Sequence, residues 1–210
     1  MIIQSSRQFS KTDLRKRFRK ERAQLAREQR QAWDSAINSC LLDYAKRERP
    51  HVVAAFVAFD GEPDLIPALS QLERLDVRLA LPVVREAPGR ADICFRQWSP
   101  GSEMQPNRYG IPEPVGTLDI HMGEIDLVLV PLVAWDTNGG RLGMGASFYD
   151  RLFQPLASQR RPFRLGVAYQ LQQVEQIPLD PWDVRLHGVL TENGCFDCPP
   201  QACGNQPPPT

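Results

Sequence analysis

The sequence predicts a single α/β domain built on a mainly parallel sheet flanked by helices. Residues 51–59 (HVVAAFVAF), 77–84 (VRLALPVV) and 126–135 (DLVLVPLVAW) are β-rich, apolar and nearly free of charge. Strands buried on both faces have this texture. Between the first two lies residues 64–75, with Leu65, Ala68, Leu69 and Leu72 at helical spacing, so strand, helix and strand form a βαβ unit. The chain has 210 residues, enough for one such domain and short for two.

The elements follow in order. Residues 1–9 form a loose leader, and the domain is expected over 10–196. Ser10 is the candidate N-cap of a helical stretch, 11–48, that holds neither Pro nor Gly. Asp13 adds negative charge to its first turn. Leu14, Phe18, Leu25, Trp33, Ile37 and Leu41 recur near helical spacing, giving one long helix or two broken near Glu28. Residues 93–98 alternate as a strand. Residues 100–116, rich in Pro and Gly, read as an ordered loop. Residues 136–140 (DTNGG) are a turn. Residues 148–157 read as a helix that Pro155 disturbs, and 164–169 and 188–191 as short strands. The composition of 197–210 cannot build a core, so a disordered tail is expected there.

Bulk properties exclude several classes. The formal net charge is zero, which gives no basic footprint for nucleic acid. No apolar run approaches the roughly 20 residues that span a bilayer. The apolar start is too short for a secretory signal, so a cytoplasmic monomer is expected. Cys40, Cys94, Cys195, Cys198 and Cys203 read as reduced thiols, and the last three lack the fourth ligand of a structural zinc site. Charge is nevertheless uneven. Residues 7–30 hold ten Lys or Arg against three Asp or Glu. Lys11 and Arg15, four apart on one helix face, can clamp a polyphosphate. Arg17, Arg19, Lys20 and Arg22 read as a solvated basic face.

The chemistry is expected at the carboxyl ends of the strands. After the strongest strand, four glycines fall within residues 139–145, and a helix follows. Arg141 stands beside them. Backbone N–H groups, a helix start and a cation make a nest for an anion such as phosphate. The pattern matches neither of the familiar glycine-rich nucleotide motifs, so a plain turn is the other reading. Asp150 reads either as a Mg²⁺ carboxylate or as a cap, and Asp183 as a second metal carboxylate or a turn residue.

The residues DLVLVPLVAWDTNGGRLGMGASFYDR resemble the 5-formyltetrahydrofolate cyclo-ligases, also called methenyltetrahydrofolate synthetases. K-x-x-L-R at 11–15, FDGEPD at 59–64, ALPVV at 80–84, YGIPEP at 109–114 and PWD at 181–183 keep the family's order and approximate spacing. The resemblance runs from about Lys11 to Glu192. It implies a fold related to the sugar-phosphate isomerase and CoA-transferase type, with ATP, Mg²⁺ and a reduced folate as ligands. Lys11, Arg15 and the loop Arg141, Leu142, Gly143, Met144, Gly145, Ala146, Ser147, Phe148 and Tyr149 would bind ATP. Arg141 and Tyr149 would also serve catalysis. Glu62, Met144, Phe148 and Tyr109 would contact folate, and Asp150 and Asp183 would hold Mg²⁺. Trp98 reads equally as a pterin contact or as core. The family's loop usually carries glycine where this chain has Ser147, preceded by Ala146. A folate- or nucleotide-binding protein without turnover is therefore the alternative, and a sugar-phosphate isomerase a third reading on fold analogy alone.

Overall fold

The computed structural model describes residues 9–87 and 89–199. The Ser10 hydroxyl accepts the Asp13 N–H at 3.1 Å and caps α1 (Lys11–Ala23). The chain breaks after Ala23 and restarts as α2 (Arg27–Glu48), just ahead of the break expected near Glu28. β1 (Val52–Ala54), α3 (Ile66–Glu73) and β2 (Arg78–Ala87) make the expected βαβ unit, with β1 and β2 parallel. β3 (Arg90–Trp98) returns antiparallel along β2.

Residues 100–116 depart from the expected loop. They build a small hairpin, β4 (Met104–Pro106) with β5 (Pro112–Pro114). Asn107 makes the turn, because its Oδ1 accepts the N–H groups of Tyr109 and Ile111 and Gly110 sits at φ 78. The prolines stand at the ends of these short strands, where a missing donor is tolerated.

β6 (Asp119–Ile120) pairs with β3. The expected strand at 126–135 divides. β7 (Leu127–Pro131) stays in the sheet, whereas β8 (Ala134–Trp135) leaves it to pair with β9 (Arg141–Leu142). α4 (Phe148–Phe153) gives way to a single 3-10 turn at Gln154–Leu156, where Pro155 stands. β10 (Phe163–Val167), β11 (Gly188–Thr191) and β12 (Gly194–Asp197) complete the chain.

The main sheet has the order β12-β11-β10-β7-β1-β2-β3-β6. The strands β11, β10, β7, β1 and β2 are mutually parallel, and the others join through antiparallel pairings. Alternation builds two cores. Val53, Leu127, Leu129 and Leu165 face α2 and α3. Val52, Ala54, Val128 and Val130 face Trp135 of β8 and Phe153 of α4. A third, smaller cluster joins Leu14 and Phe18 of α1 to Val133, Ala134, Leu142 and Ile177.

Two further expectations are corrected, and the open alternative at Trp98 resolves to core. β1 ends at Ala54 although the apolar run continues to Phe59, because residues 55–59 turn out of the sheet. Trp98 is 6% exposed and packs in the core beside Leu79 and Leu81. The ordered chain passes the boundary at 196, since Asp197 closes β12 and the Cys198 N–H bonds the His187 carbonyl at 2.9 Å. The remaining tail, 200–210 with Cys203, lies outside the described residues, as does the leader except Phe9.

The sheet interior sets the stability. Leu129 is fully buried, whereas Leu118 is 73% exposed. Leu129→Ala is expected to lower the unfolding free energy by about 2–5 kcal/mol in urea titrations. Leu118→Ala should stay within about 0.5 kcal/mol of the parent.

Candidate active site

Among the parallel strands the chain order is β2-β1-β7-β10-β11 by position, so the winding reverses between β1 and β7. Connections that leave the carboxyl ends of two such neighbours in opposite directions open a crevice. A cleft of about 520 Å³ lies there, within the range that holds small ligands. Phe56, Val57, Phe59 and Glu62 enter it after β1, and Pro131 and Leu132 after β7. Pro82, Val84 and Ile93 of the β2–β3 hairpin form one wall. The β4–β5 hairpin contributes Asn107, Tyr109, Ile111 and Glu113. Lys11 and Arg15 of α1, the loop 141–150, and Asp180, Trp182 and Asp183 close the other side.

Apart from Trp98, every residue singled out in the sequence for a site borders this one cleft: Lys11, Arg15, Glu62, Tyr109, Asp183 and the whole run 141–150. Sequence reasoning missed its apolar lining and Asp180. The short apolar run after β1 reads in sequence as more strand. The pockets' apolar faces carry no motif, and only the strand order reveals which loops converge.

The loop is held by named contacts. Asp136 is buried and accepts the N–H groups of Asn138, Gly140 and Ile177, which shapes the turn ahead of β9. A Cβ at Gly140 would lie 2.4 Å from Asp136 Oδ2, so this position admits no side chain. Arg15 Nε donates to the Gly143 carbonyl at 2.9 Å. Gly145 stands at φ 110 and Ser147 at φ 51, a left-handed backbone that glycine takes at no steric cost. The Ser147 hydroxyl makes no capping bond to α4. Arg151 anchors the loop from behind, donating to the Ala146 carbonyl at 2.9 Å and to Asp92 of β3 at 2.9 Å. Phe148 packs edge-on against Tyr109 across the cleft, with ring centres 6.3 Å apart.

The charges are tightly paired. Arg141 is buried and donates through Nη2 to Asp150 Oδ1 at 2.6 Å. Its removal from water lowers its pKa, against the pull of the Asp150 charge. Its Nε is buried without a partner, and so is the Tyr149 hydroxyl, whose pKa burial raises. Lys11 Nζ lies 2.6 Å from both Asp180 Oδ2 and Asp183 Oδ2. Burial opposes its charge, and the two carboxylates outweigh that and raise its pKa. Also on the cleft wall, burial pushes Glu62 up to about 7 despite the positive field of Arg22.

Asp150 and Asp183 suit a hard divalent cation in one respect. The Arg141 and Val184 donors both use Oδ1 of Asp150, and the Lys11 and Asp180 donors both use Oδ2 of Asp183. Among the described residues each carboxylate therefore keeps one oxygen without a hydrogen bond. Two carboxylates alone make a poor site, and no group of three or more His, Cys, Asp or Glu converges among the described residues. Such a site needs further oxygens from a bound ligand, as Mg²⁺ commonly takes from phosphates.

Fold and cleft together define a doubly wound α/β domain with a cleft at the switch point, lined by a glycine-rich loop. The chain belongs to the 5-formyltetrahydrofolate cyclo-ligase family, whose model matches residues 7–192, and it is an enzyme of that family. It is 36% identical over 184 residues to the 5-formyltetrahydrofolate cyclo-ligase of Escherichia coli K12, covering 86% of this chain and 99% of that one. With the enzyme of the same description from Haemophilus influenzae it shares 33% identity over 180 residues, covering 84% of this chain and 95% of that one. The NMR structure of Aquifex aeolicus 5,10-methenyltetrahydrofolate synthetase superposes with a TM-score of 0.78 at 28% identity, covering 93% of this chain and 96% of that one. The Mycoplasma pneumoniae synthetase shares the fold at a TM-score of 0.72 and 24% identity, covering 88% of this chain and 99% of that one.

Glu62 supplies a pH test. Its folded-state pKa of about 7 stands above the ordinary carboxyl value of 4.5. Between these values the folded chain holds a proton that the unfolded chain has released, so stability falls as pH rises through this window. Glu62→Gln removes that loss. Its thermal midpoint is expected to exceed the parent's near pH 8 and to match it near pH 4.5. An equal difference at both pH values would place the titration elsewhere.

Proposed function

We propose that this protein is a monomeric cytoplasmic enzyme that cyclises 5-formyltetrahydrofolate to 5,10-methenyltetrahydrofolate, consuming ATP and requiring Mg²⁺. One observation carries the reading. A single cleft is lined both by a glycine-rich loop with Lys11, Arg15 and Arg141 and by Glu62, Phe56, Val57 and Ile93. The loop and its cations suit a triphosphate, and the second set suits a flat heterocycle with N–H donors.

The chemistry follows from the substrate's weakness. An N5-formyl oxygen is a poor leaving group. Attack of that oxygen on the γ-phosphorus of ATP breaks the bond to ADP and leaves a phosphorylated formyl iminium. N10 then adds to the formyl carbon and loses its proton. The carbon–oxygen bond breaks, phosphate leaves, and the five-membered ring is closed. Phosphoryl transfer of this kind depends on alignment and on neutralising charge, so no covalent protein nucleophile is required.

Lys11 and Arg15 project from one face of α1 and would meet the phosphates with the 141–149 loop. The two orphan donors, Arg141 Nε and the Tyr149 hydroxyl, need an acceptor in the cleft, and a phosphoryl or formyl oxygen supplies one. Met144, Phe148 and Tyr109 would pack against the folate. Glu62 would accept from its N–H edge. Asp150 and Asp183 would hold Mg²⁺ through their free oxygens, and the ion would neutralise charge developing on the phosphates.

A second reading attaches to Ser147, whose left-handed backbone departs from what a non-glycine residue prefers. It predicts a protein that binds folate or nucleotide without turnover. Mixing the purified protein with 5-formyltetrahydrofolate and Mg-ATP separates the two. Methenyl absorbance is expected to appear only with ATP. Binding by calorimetry with no ADP release would establish the second reading instead, and ATP-independent isomerisation of a sugar phosphate would return the third.

Asp150→Asn keeps an acceptor for Arg141 but removes the metal-binding charge. Its turnover is expected to fall by roughly two to three orders of magnitude, with substrate affinity less affected. A fall in turnover that excess Mg²⁺ or Mn²⁺ partly reverses would mark a metal role. Full activity in that variant would refute the assignment.

A further inference from the structure

We propose that Arg22 is the positioning residue for the Glu62 wall of the cleft: its guanidinium ties the turn after β1 to the end of β7 and so fixes where the Glu62 carboxylate stands. The proposal rests on the reading that Glu62 contacts folate.

Arg22 sits in the last turn of α1 and is 0% exposed. Leu14, Phe18 and Arg22 recur every four residues, so the arginine occupies the next position of the helix's buried stripe. Nη1 donates to the Leu132 carbonyl at 3.1 Å, directly after β7. Nη2 donates to Asp60 Oδ2 at 3.0 Å, in the turn after β1. A fully buried guanidinium bound to both neighbours of the switch point fixes their separation, since a displaced end leaves the charge unmet.

The turn that Arg22 grips is the one that presents Glu62. Asp60 stands at φ 52 and Gly61 at φ 77, and the Glu62 N–H bonds the Phe59 carbonyl at 3.0 Å. Glu62 Oε2 accepts the Phe59 N–H at 3.1 Å, while Oε1 accepts no hydrogen bond among the described residues. One carboxylate oxygen is thus fixed by the turn and the other is left to a ligand. Arg19 donates to both oxygens of Asp60, and Arg30 packs so closely that a Cβ at Gly61 would lie 2.8 Å from its Nη1. Arg30 also donates to the Arg22 carbonyl at 2.5 Å. The Arg22 Nε is buried without a partner.

The charged and titratable groups that act on Glu62 are Arg22 from α1, Asp60 from its own turn and Tyr149 from α4. Arg22 is the one cation among them and holds the Glu62 pKa down against burial. A pterin edge offers N–H donors, which the ionised carboxylate accepts. Arg22 therefore acts on both the place and the ionisation of Glu62.

The test compares Arg22→Met and Arg22→Lys with the parent by calorimetry, using 5-formyltetrahydrofolate and, separately, ATP, from about pH 6 to 9. Arg22→Met is expected to weaken folate binding by about tenfold or more while ATP affinity stays within about twofold. The pH midpoint of folate affinity should also rise. Arg22→Lys should restore the midpoint but only part of the affinity, because an ammonium cannot fork between two acceptors. If Arg22→Met does not fold, the Lys variant and Asp60→Asn serve for the comparison. Folate and ATP affinities falling in parallel, an unmoved midpoint or unchanged folate affinity would each overturn the proposal. Glu62→Gln separates the two layers. If it leaves folate affinity intact, the reading of Glu62 as a folate contact is what fails. If it abolishes binding while the Arg22 variants behave as the parent, only the role of Arg22 fails.

Discussion

A guanidinium taken wholly out of water has to be met by acceptors, and that requirement governs how the last turn of the first helix lies on this molecule. Arg22 finds its acceptors at the Leu132 carbonyl and the Asp60 carboxylate, on the two strands that flank the reversal of the sheet. The earlier turns of the helix carry anchors of their own. Leu14 and Phe18 fill the cluster under the β8–β9 ribbon. Lys11 and Arg15, on the neighbouring positions, are delivered to the loop 141–150 and to Asp180 and Asp183. One amphipathic stripe thus bonds the helix to the sheet and equips the cleft.

Two of the three cations that line the cleft are already paired with carboxylates. Arg141 faces Asp150, and Lys11 faces Asp180 and Asp183, each at 2.6 Å. These contacts are short and partly shielded from water, where charge-assisted bonds are strong. An incoming triphosphate competes with the carboxylates for the same cations. A divalent ion accompanying it compensates the carboxylates so released. The proposed anion and cation fit as a pair better than either fits alone.

The strands legible in the sequence were those buried on both faces, where the apolar run is itself the signal. β7, β10 and β11 read clearly for that reason. The β4–β5 hairpin was not legible, because its Pro and Gly content argues for a loop and the Asn107 side chain supplies the turn. β12 escapes a reading of the sequence although only the two-residue turn Glu192-Asn193 separates it from β11, because the strand is four residues long and abuts the Pro-rich tail. The site residues were legible largely through the family's motifs, which mark the loop 141–150 and α1. Arg22 carried a signal that a composition-based reading overlooks. Counting basic residues makes it one of a solvated face, whereas counting from Leu14 and Phe18 in steps of four puts it inside. Asp180 offered no such period and needed the fold.

Trp182 gives the cleft an optical property. It is 55% exposed and borders the opening, whereas Trp98 and Trp135 are 6% and 1% exposed and sealed in the two main cores. Indole emission shifts to the red and becomes open to soluble quenchers when the ring is wet. Trp33, half-buried against Tyr169, lies between these extremes. Trp182 is therefore the most red-shifted and iodide-accessible of the four indoles, and a bound ligand can be followed there without a label.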